Sequence, residues 1–212
     1  MNLSMLMLIN RIKLLPCLIL VYFLGLGTHH LDAEEIFEHE DHCLAYQTEE
    51  TFLFFIDSIV IAKTCEISIQ VDRKAGNIRF VVSFPISSLD SGVDMRDDDV
   101  TEMLSFESNT YIRFVSDFLS EEQVRTALAH GKTMLGGMLE IAGKTYKVIF
   151  PLKFSEQSGT WLITGKLVSS LSQFGLELPS VLGGVIADTR DYLKLLVHLR
   201  FNLLQGLPEF NQ

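Results

Sequence analysis

A turn and one short helix are predicted by Ser87-Ser-Leu-Asp-Ser-Gly-Val-Asp-Met-Arg-Asp-Asp-Asp-Val-Thr-Glu-Met-Leu104, which interrupts a long series of strand-like segments. Ser91-Gly92 is a turn signal, because glycine tolerates positive φ and serine hydrogen-bonds to nearby backbone. The acidic residues 97–99 suit the first turn of a helix, where carboxylates face the positive end of the helix dipole. Apolar residues then recur at helical spacing. The segment therefore predicts a helix with one apolar stripe that plugs one end of a β structure.

Alternation of apolar and polar residues with period two dominates the chain outside this segment, which is typical of strands with one buried face. The turns Arg73-Lys-Ala-Gly76 and Ala142-Gly-Lys144 join pairs of strands into hairpins. A second helix is predicted after Ser120-Glu-Glu-Gln123, which is a capping box, and Gly131 supplies its end. The chain thus predicts an all-β fold with eight strands and one or two short helices.

Two architectures accommodate these eight strands. A closed antiparallel barrel has no exposed edges, and its interior is wide enough for one small ligand. A β-sandwich is compatible with the same alternation. The following residues are expected on the inward face, where they would bind a ligand if the barrel is hollow: Phe80, Val82, Phe84, Phe114, Leu139, Val148, Phe150, Leu152, Ile163, Leu195, Val197 and Leu199.

Three blocks of sequence resemble the YceI-like family. Ser91-Gly92 followed by Arg96-Asp97 matches its pattern of a small residue, glycine, three residues, arginine and aspartate. Gly137-Met-Leu-Glu-Ile-Ala-Gly-Lys-Thr-Tyr-Lys-Val148 resembles its hairpin Gly-x-Leu-Thr-Ile-x-Gly-x-x-x-x-Val, and Phe174-Gly175 with Asp188 is a third, weaker match. The resemblance implies an eight-stranded lipocalin-like barrel, periplasmic or secreted, that binds a long apolar molecule such as an isoprenoid, an isoprenoid quinone or a fatty amide. It implies no catalytic residue.

The N-terminus has the features of a bacterial secretory signal. Arg11 and Lys13 precede an apolar run over residues 14–27, which is short for a membrane span but suits the core of a signal peptide. Cleavage is expected after Gly27, where both relevant positions are glycine, or after Ala33, where the upstream position is the bulky Leu31. An uncleaved N-terminal anchor is the alternative.

Together with the composition of the chain, the resemblance implies three parts in the remaining sequence. Residues 34–50 are expected to form an acidic N-terminal arm, 51–205 the lipid-binding barrel and 206–212 a tail. No stable membrane insertion is expected after signal cleavage, and both a monomer and a homodimer are compatible with the sequence.

The chain is acidic, with a formal net charge of −10. Nucleic acids and anionic lipid surfaces both select clusters of lysine and arginine, and no such cluster stands out along the sequence. The sequence therefore disfavours both as partners.

Cys43 and Cys65 could form a disulfide in an oxidising compartment, where a loop of this length stabilises the fold by about 3 kcal/mol. Two unpaired thiols are the alternative.

His39, His42 and Cys43 lie close together with carboxylates between them, but their spacing fits no compact ligand pattern, so we expect neither a metal nor a cofactor.

The expected function is binding, since the sequence has no Gly-x-Ser-x-Gly, His-Glu-x-x-His or phosphate-binding loop. An inward face rich in phenylalanine suits a long-chain lipid. The same rings could instead fill the barrel, which would leave a non-enzymatic envelope protein that acts through its surface.

Overall fold

The computed structural model describes residues 36–39, 41–52, 56–105, 109–157, 159–178, 180–181 and 187–201. The predicted signal peptide, 1–33, and the predicted tail, 206–212, lie outside these residues. The described residues from Phe37 onward form one compact unit. None of the helices in the described ranges is both long enough and apolar enough to cross a membrane.

Twelve strands and two α-helices make up the described part of the chain. The strands are β1 (Cys43–Phe52), β2 (Ile56–Thr64), β3 (Ser68–Lys74), β4 (Asn77–Pro85), β5 (Tyr111–Ser116), β6 (Leu119–Ser120), β7 (Lys132–Ile141), β8 (Lys144–Gln157), β9 (Thr160–Ser169), β10 (Ser180–Val181), β11 (Ala187–Thr189) and β12 (Leu193–Phe201). The helices are α1 (Asp94–Leu104) and α2 (Glu121–His130), with short 3-10 helices at Ile86–Ser88 and Ser172–Phe174.

One antiparallel sheet contains all of these strands, in the order β10-β11-β1-β12-β9-β8-β7-β5-β4-β3. Two strands pair outside this order: β2 pairs with β1, and β6 pairs with β4. The sheet curls into a half-barrel with two short helices, which confirms the predicted lipocalin-like class over a two-sheet sandwich. β2 pairs with β1, whereas β3, which follows it directly, pairs with β4. The chain therefore passes from one end of the curled sheet to the other between β2 and β3.

The position of β1 shows that two predictions were wrong: the extent of the N-terminal arm and the number of strands. β1 begins at Cys43, inside the segment 34–50 that was predicted to be an acidic arm, and it is a strand that the eight-strand count lacked. Its alternation is obscured because Gln47 and Thr48 are polar yet buried. Lys194 Nζ donates to Gln47 Oε1 at 2.8 Å, and Thr48 Oγ1 donates to the Tyr192 carbonyl at 2.8 Å. These bonds remove the cost of burying polar groups.

Both predicted helices are present. Gly92 has φ +76° in the turn before α1, and Asp94 and Asp97 lie in the first turn of that helix. At α2, Ser120 Oγ accepts from the Gln123 backbone N–H while Gln123 Oε1 accepts from the Ser120 N–H, which completes the capping box. Gly131 ends α2 in the left-handed conformation.

A disulfide fastens β1 to the end of β2. Cys43 and Cys65 are bonded, with their Cα atoms 4.1 Å apart. Cys43 is buried in β1, and Cys65 directly follows β2 and is exposed. The bond therefore lies beside the β1–β2 pairing and closes a loop over 22 positions of sequence.

Candidate functional site

A cavity of about 1200 Å³ occupies the concave side of the sheet. Small-molecule sites are typically about 300–1,000 Å³ in volume, so this one has room for a large ligand. Side chains from β1, β4, β5, β7, β8, β9 and β12 line it, and α1 and α2 also contribute. The lining is largely aliphatic and aromatic.

Eleven of the twelve residues predicted to face a ligand line this cavity. They are Phe80, Val82, Phe84, Phe114, Leu139, Phe150, Leu152, Ile163, Leu195, Val197 and Leu199. The alternation that placed them is clearest in β8, where every second side chain from Tyr146 to Phe154 is partly or fully buried. Ligand contact by these residues stays a prediction.

Val148 is the exception, because it is buried in the core but does not line the cavity. It pairs with Gly137 in the β7–β8 ladder. A Cβ atom at Gly137 would lie 2.6 Å from Phe114 Cζ, so the Phe114 ring occupies the space above this glycine. The same ring packs edge to face against Phe150, with ring centroids 5.6 Å apart. Phe114, rather than Val148, therefore faces the cavity at this level.

The helices and the segment after β9 supply lining residues that the strand pattern did not assign. They include Val100, Met103 and Leu104 of α1, Val124 and Leu128 of α2, and Leu171 and Leu176. The apolar stripes of both helices were visible in the sequence. Their position against the cavity depends on where the helices pack, which local periodicity does not specify.

One region of the cavity wall is polar. Tyr46 and Glu50 of β1 and Arg96 of α1 all line the cavity, and Arg96 Nη2 lies 3.7 Å from Glu50 Oε2. Burial raises the pKa of Tyr46 to about 12, the charges of Asp97 and Glu50 also raise it, and that of Arg96 lowers it. The hydroxyl is therefore protonated at neutral pH and can donate a hydrogen bond.

Carboxylates outnumber cations in the described wall of the cavity. Glu50, Asp99, Glu102 and Glu177 line it, against Arg96 alone. This balance disfavours a negatively charged ligand, because like charges repel in a partly desolvated site. Two contacts hold α1 in place, since Arg96 pairs with Glu50 and Asp97 accepts a hydrogen bond from the Ser91 backbone N–H.

The described residues contain no group of three or more histidine, cysteine, aspartate or glutamate side chains arranged to hold a metal ion. His39, Asp41 and His42 have other contacts: Asp41 pairs with Lys63 at 3.0 Å, and His42 Nδ1 lies 3.1 Å from the Arg200 carbonyl. Arg200 donates from its guanidinium to the His39 carbonyl at 3.2 Å. These contacts therefore connect the segment before β1 to β2 and β12.

Solved structures support the fold. BcnA from Burkholderia cenocepacia is 18% identical, with a TM-score of 0.53, and the alignment covers 75% of this chain and 96% of that one. A YCEI protein from Campylobacter jejuni is 12% identical, with a TM-score of 0.50, over 73% of this chain and 84% of that one. No curated protein sequence matches the chain. The model of the YceI-like domain matches residues 48–201, and the chain therefore belongs to the YceI-like family.

Proposed function

We propose that this protein binds one long-chain apolar lipid in its cavity and carries or sequesters it. The observation that supports this most directly is the 1200 Å³ cavity lined mainly by aliphatic and aromatic side chains. Each buried methylene contributes about 0.8 kcal/mol, so a chain of about ten methylenes contributes about 8 kcal/mol before the costs of binding are subtracted. A hydrocarbon chain can therefore bind with few hydrogen bonds.

The ligand class we propose is an isoprenoid, an isoprenoid quinone or a fatty amide. Family membership supports a lipid of this kind, and the excess of carboxylates in the wall supports a head group without negative charge. The Tyr46 hydroxyl is a suitable donor to a carbonyl or hydroxyl oxygen on that head group. We propose a binding role rather than an enzymatic one.

The proposed location is the periplasm or the exterior of a bacterial cell. The apolar run at 14–27, which has the length of a signal-peptide core, supports export. The Cys43–Cys65 disulfide supports an oxidising compartment, because such bonds are rare where glutathione keeps thiols reduced.

Native mass spectrometry of the purified protein tests the binding proposal. We expect a co-purified lipid that organic extraction removes and that added geranylgeraniol or a quinone replaces. Val82→Trp, which adds an indole to the cavity wall, should abolish this binding, whereas Val168→Trp on the outer surface of β9 should not. Empty spectra before and after lipid addition would contradict lipid binding and favour a protein that acts through its surface.

A further inference from the structure

The outer face of β7, β8 and β9 exposes apolar side chains that no part of the described fold covers. Met134, Met138, Ile149 and Val168 are 63%, 42%, 49% and 56% exposed. They occupy the positions that alternate with the cavity-facing residues of the same strands. Exposed apolar residues are ordinary when scattered, but a contiguous group on one sheet face is typical of an interaction surface.

Four lysines surround these apolar side chains on the same face. Lys132 lies directly opposite Lys153 in the β7–β8 pairing, Lys147 lies opposite Met138, and Lys166 alternates with Val168 along β9. All four are exposed, and none forms a salt bridge within the described ranges of the chain. In a chain with a net charge of −10, this face is a local concentration of positive charge.

Two carboxylates lie on or beside this face and are outnumbered by its four lysines. A Cβ atom at Gly136 would lie 2.5 Å from Asp117 Oδ2, so this carboxylate lies above the glycine. Glu140 lies opposite Arg113 in the β5–β7 pairing. The lysines therefore remain in excess.

The four lysines are dispersed from 132 to 166 in the sequence and become neighbours only through the strand register. The sequence-based expectation against anionic lipid surfaces therefore did not take this cluster into account.

We propose that this face docks the protein on an anionic lipid bilayer. Apolar side chains within a ring of lysines are the combination by which peripheral proteins bind membrane interfaces, where each basic residue increases binding by roughly fivefold. A second copy of the chain fits less well, because a two-fold contact through this face would bring the lysines of one copy against those of the other. The proposal goes beyond the carrier function and does not depend on it.

Sedimentation with vesicles tests the proposal on the full chain. We expect binding to phosphatidylcholine vesicles that contain phosphatidylglycerol, little binding to pure phosphatidylcholine, and loss of binding in high salt, because salt screens the lysines. Ile149→Asn and Lys153→Glu should each weaken binding at least threefold.

Matched controls are available elsewhere in the sheet. Ile56 on β2 has the same 49% exposure as Ile149, and Lys74 at the end of β3 is exposed like Lys153. Ile56→Asn and Lys74→Glu should leave vesicle binding within twofold of the unmodified protein. No binding to anionic vesicles, or equal losses in test and control variants, would overturn the proposal. So would a stable dimer, detected by sedimentation velocity, that Ile149→Asn dissociates.

Discussion

Both carboxylate oxygens of Asp97 accept hydrogen bonds from the Ser91 backbone N–H, at 3.1 and 3.2 Å. The same turn is joined to β2, since Lys63 and Asp90 exchange backbone hydrogen bonds at 2.9 and 3.0 Å. Through Ser91, Asp97 therefore fixes the start of α1 to the sheet. Because α1 lines the cavity with Val100, Met103 and Leu104, this attachment positions part of the cavity wall.

Asp97→Ala is expected to lower the free energy of unfolding by about 1.5–3 kcal/mol, because it removes a charged acceptor from a backbone N–H. Asp98→Ala, at an exposed position of the same helix, is the matched control and should change it by less than about 0.5 kcal/mol. Urea unfolding followed by circular dichroism measures both. Equal effects of the two substitutions would show that the Asp97–Ser91 contact does not stabilise the turn.

Reduction of the Cys43–Cys65 disulfide is expected to lower the free energy of unfolding by about 3 kcal/mol, because the bond restricts the unfolded chain. Urea unfolding with and without reductant measures the difference. The double variant Cys43→Ser/Cys65→Ser is the control, and its stability should not respond to reductant. If the unmodified protein were equally insensitive, the bond would not contribute to stability.

Strand alternation predicted the cavity wall well where one face meets the interior and the other meets solvent. In β8, exposed lysines at 147 and 153 alternate with buried side chains, of which Phe150 and Leu152 line the cavity, and the register follows directly. β1 was missed because buried Gln47 and Thr48 resemble surface residues in sequence. Their partners, Lys194 and the Tyr192 carbonyl, are more than 140 positions away, so no local pattern could identify the strand as buried.

Groups of side chains that come from distant segments could not be predicted from the sequence. Arg96 was recognised within a motif, but its partner Glu50 and its neighbour Tyr46 belong to the strand that was read as an arm. The cluster of lysines on the outer face was likewise not predicted, because Lys132 and Lys153 become neighbours only through the β7–β8 register. Periodicity therefore predicted which side chains face inward, whereas the polar region of the cavity required the tertiary fold.

Tyr46→Phe is expected to weaken binding of geranylgeraniol by roughly three- to tenfold, the effect of losing one hydrogen bond. Binding of squalene, a hydrocarbon without a polar head, should not change. Tyr111→Phe, at an exposed position of β5, is the matched control and should bind both probes normally. Displacement of a fluorescent lipid from the delipidated protein measures these affinities. Equal losses for both probes would show that Tyr46 acts through packing instead.

His42 is expected to make the protein less stable in mild acid. Burial lowers its pKa from the ordinary value of 6.5, a hydrogen bond to the Arg200 backbone raises it, and the charge of His198 lowers it again, with a net decrease. The unfolded chain therefore binds more protons at this group below about pH 6.5, so the free energy of unfolding should fall as the pH falls through that range. Asp41, whose pKa is lowered from 3.8, titrates below this window.

Urea unfolding at about pH 7.5 and about pH 5 measures this dependence. His42→Asn should lose less stability between the two pH values than the unmodified protein, because the asparagine does not titrate. His130→Asn, on the exposed surface of α2, is the control and should keep the original dependence. If His42→Asn and the unmodified protein lost equal stability, the acid sensitivity would arise elsewhere. The contact between His42 and β12 would then not respond to pH.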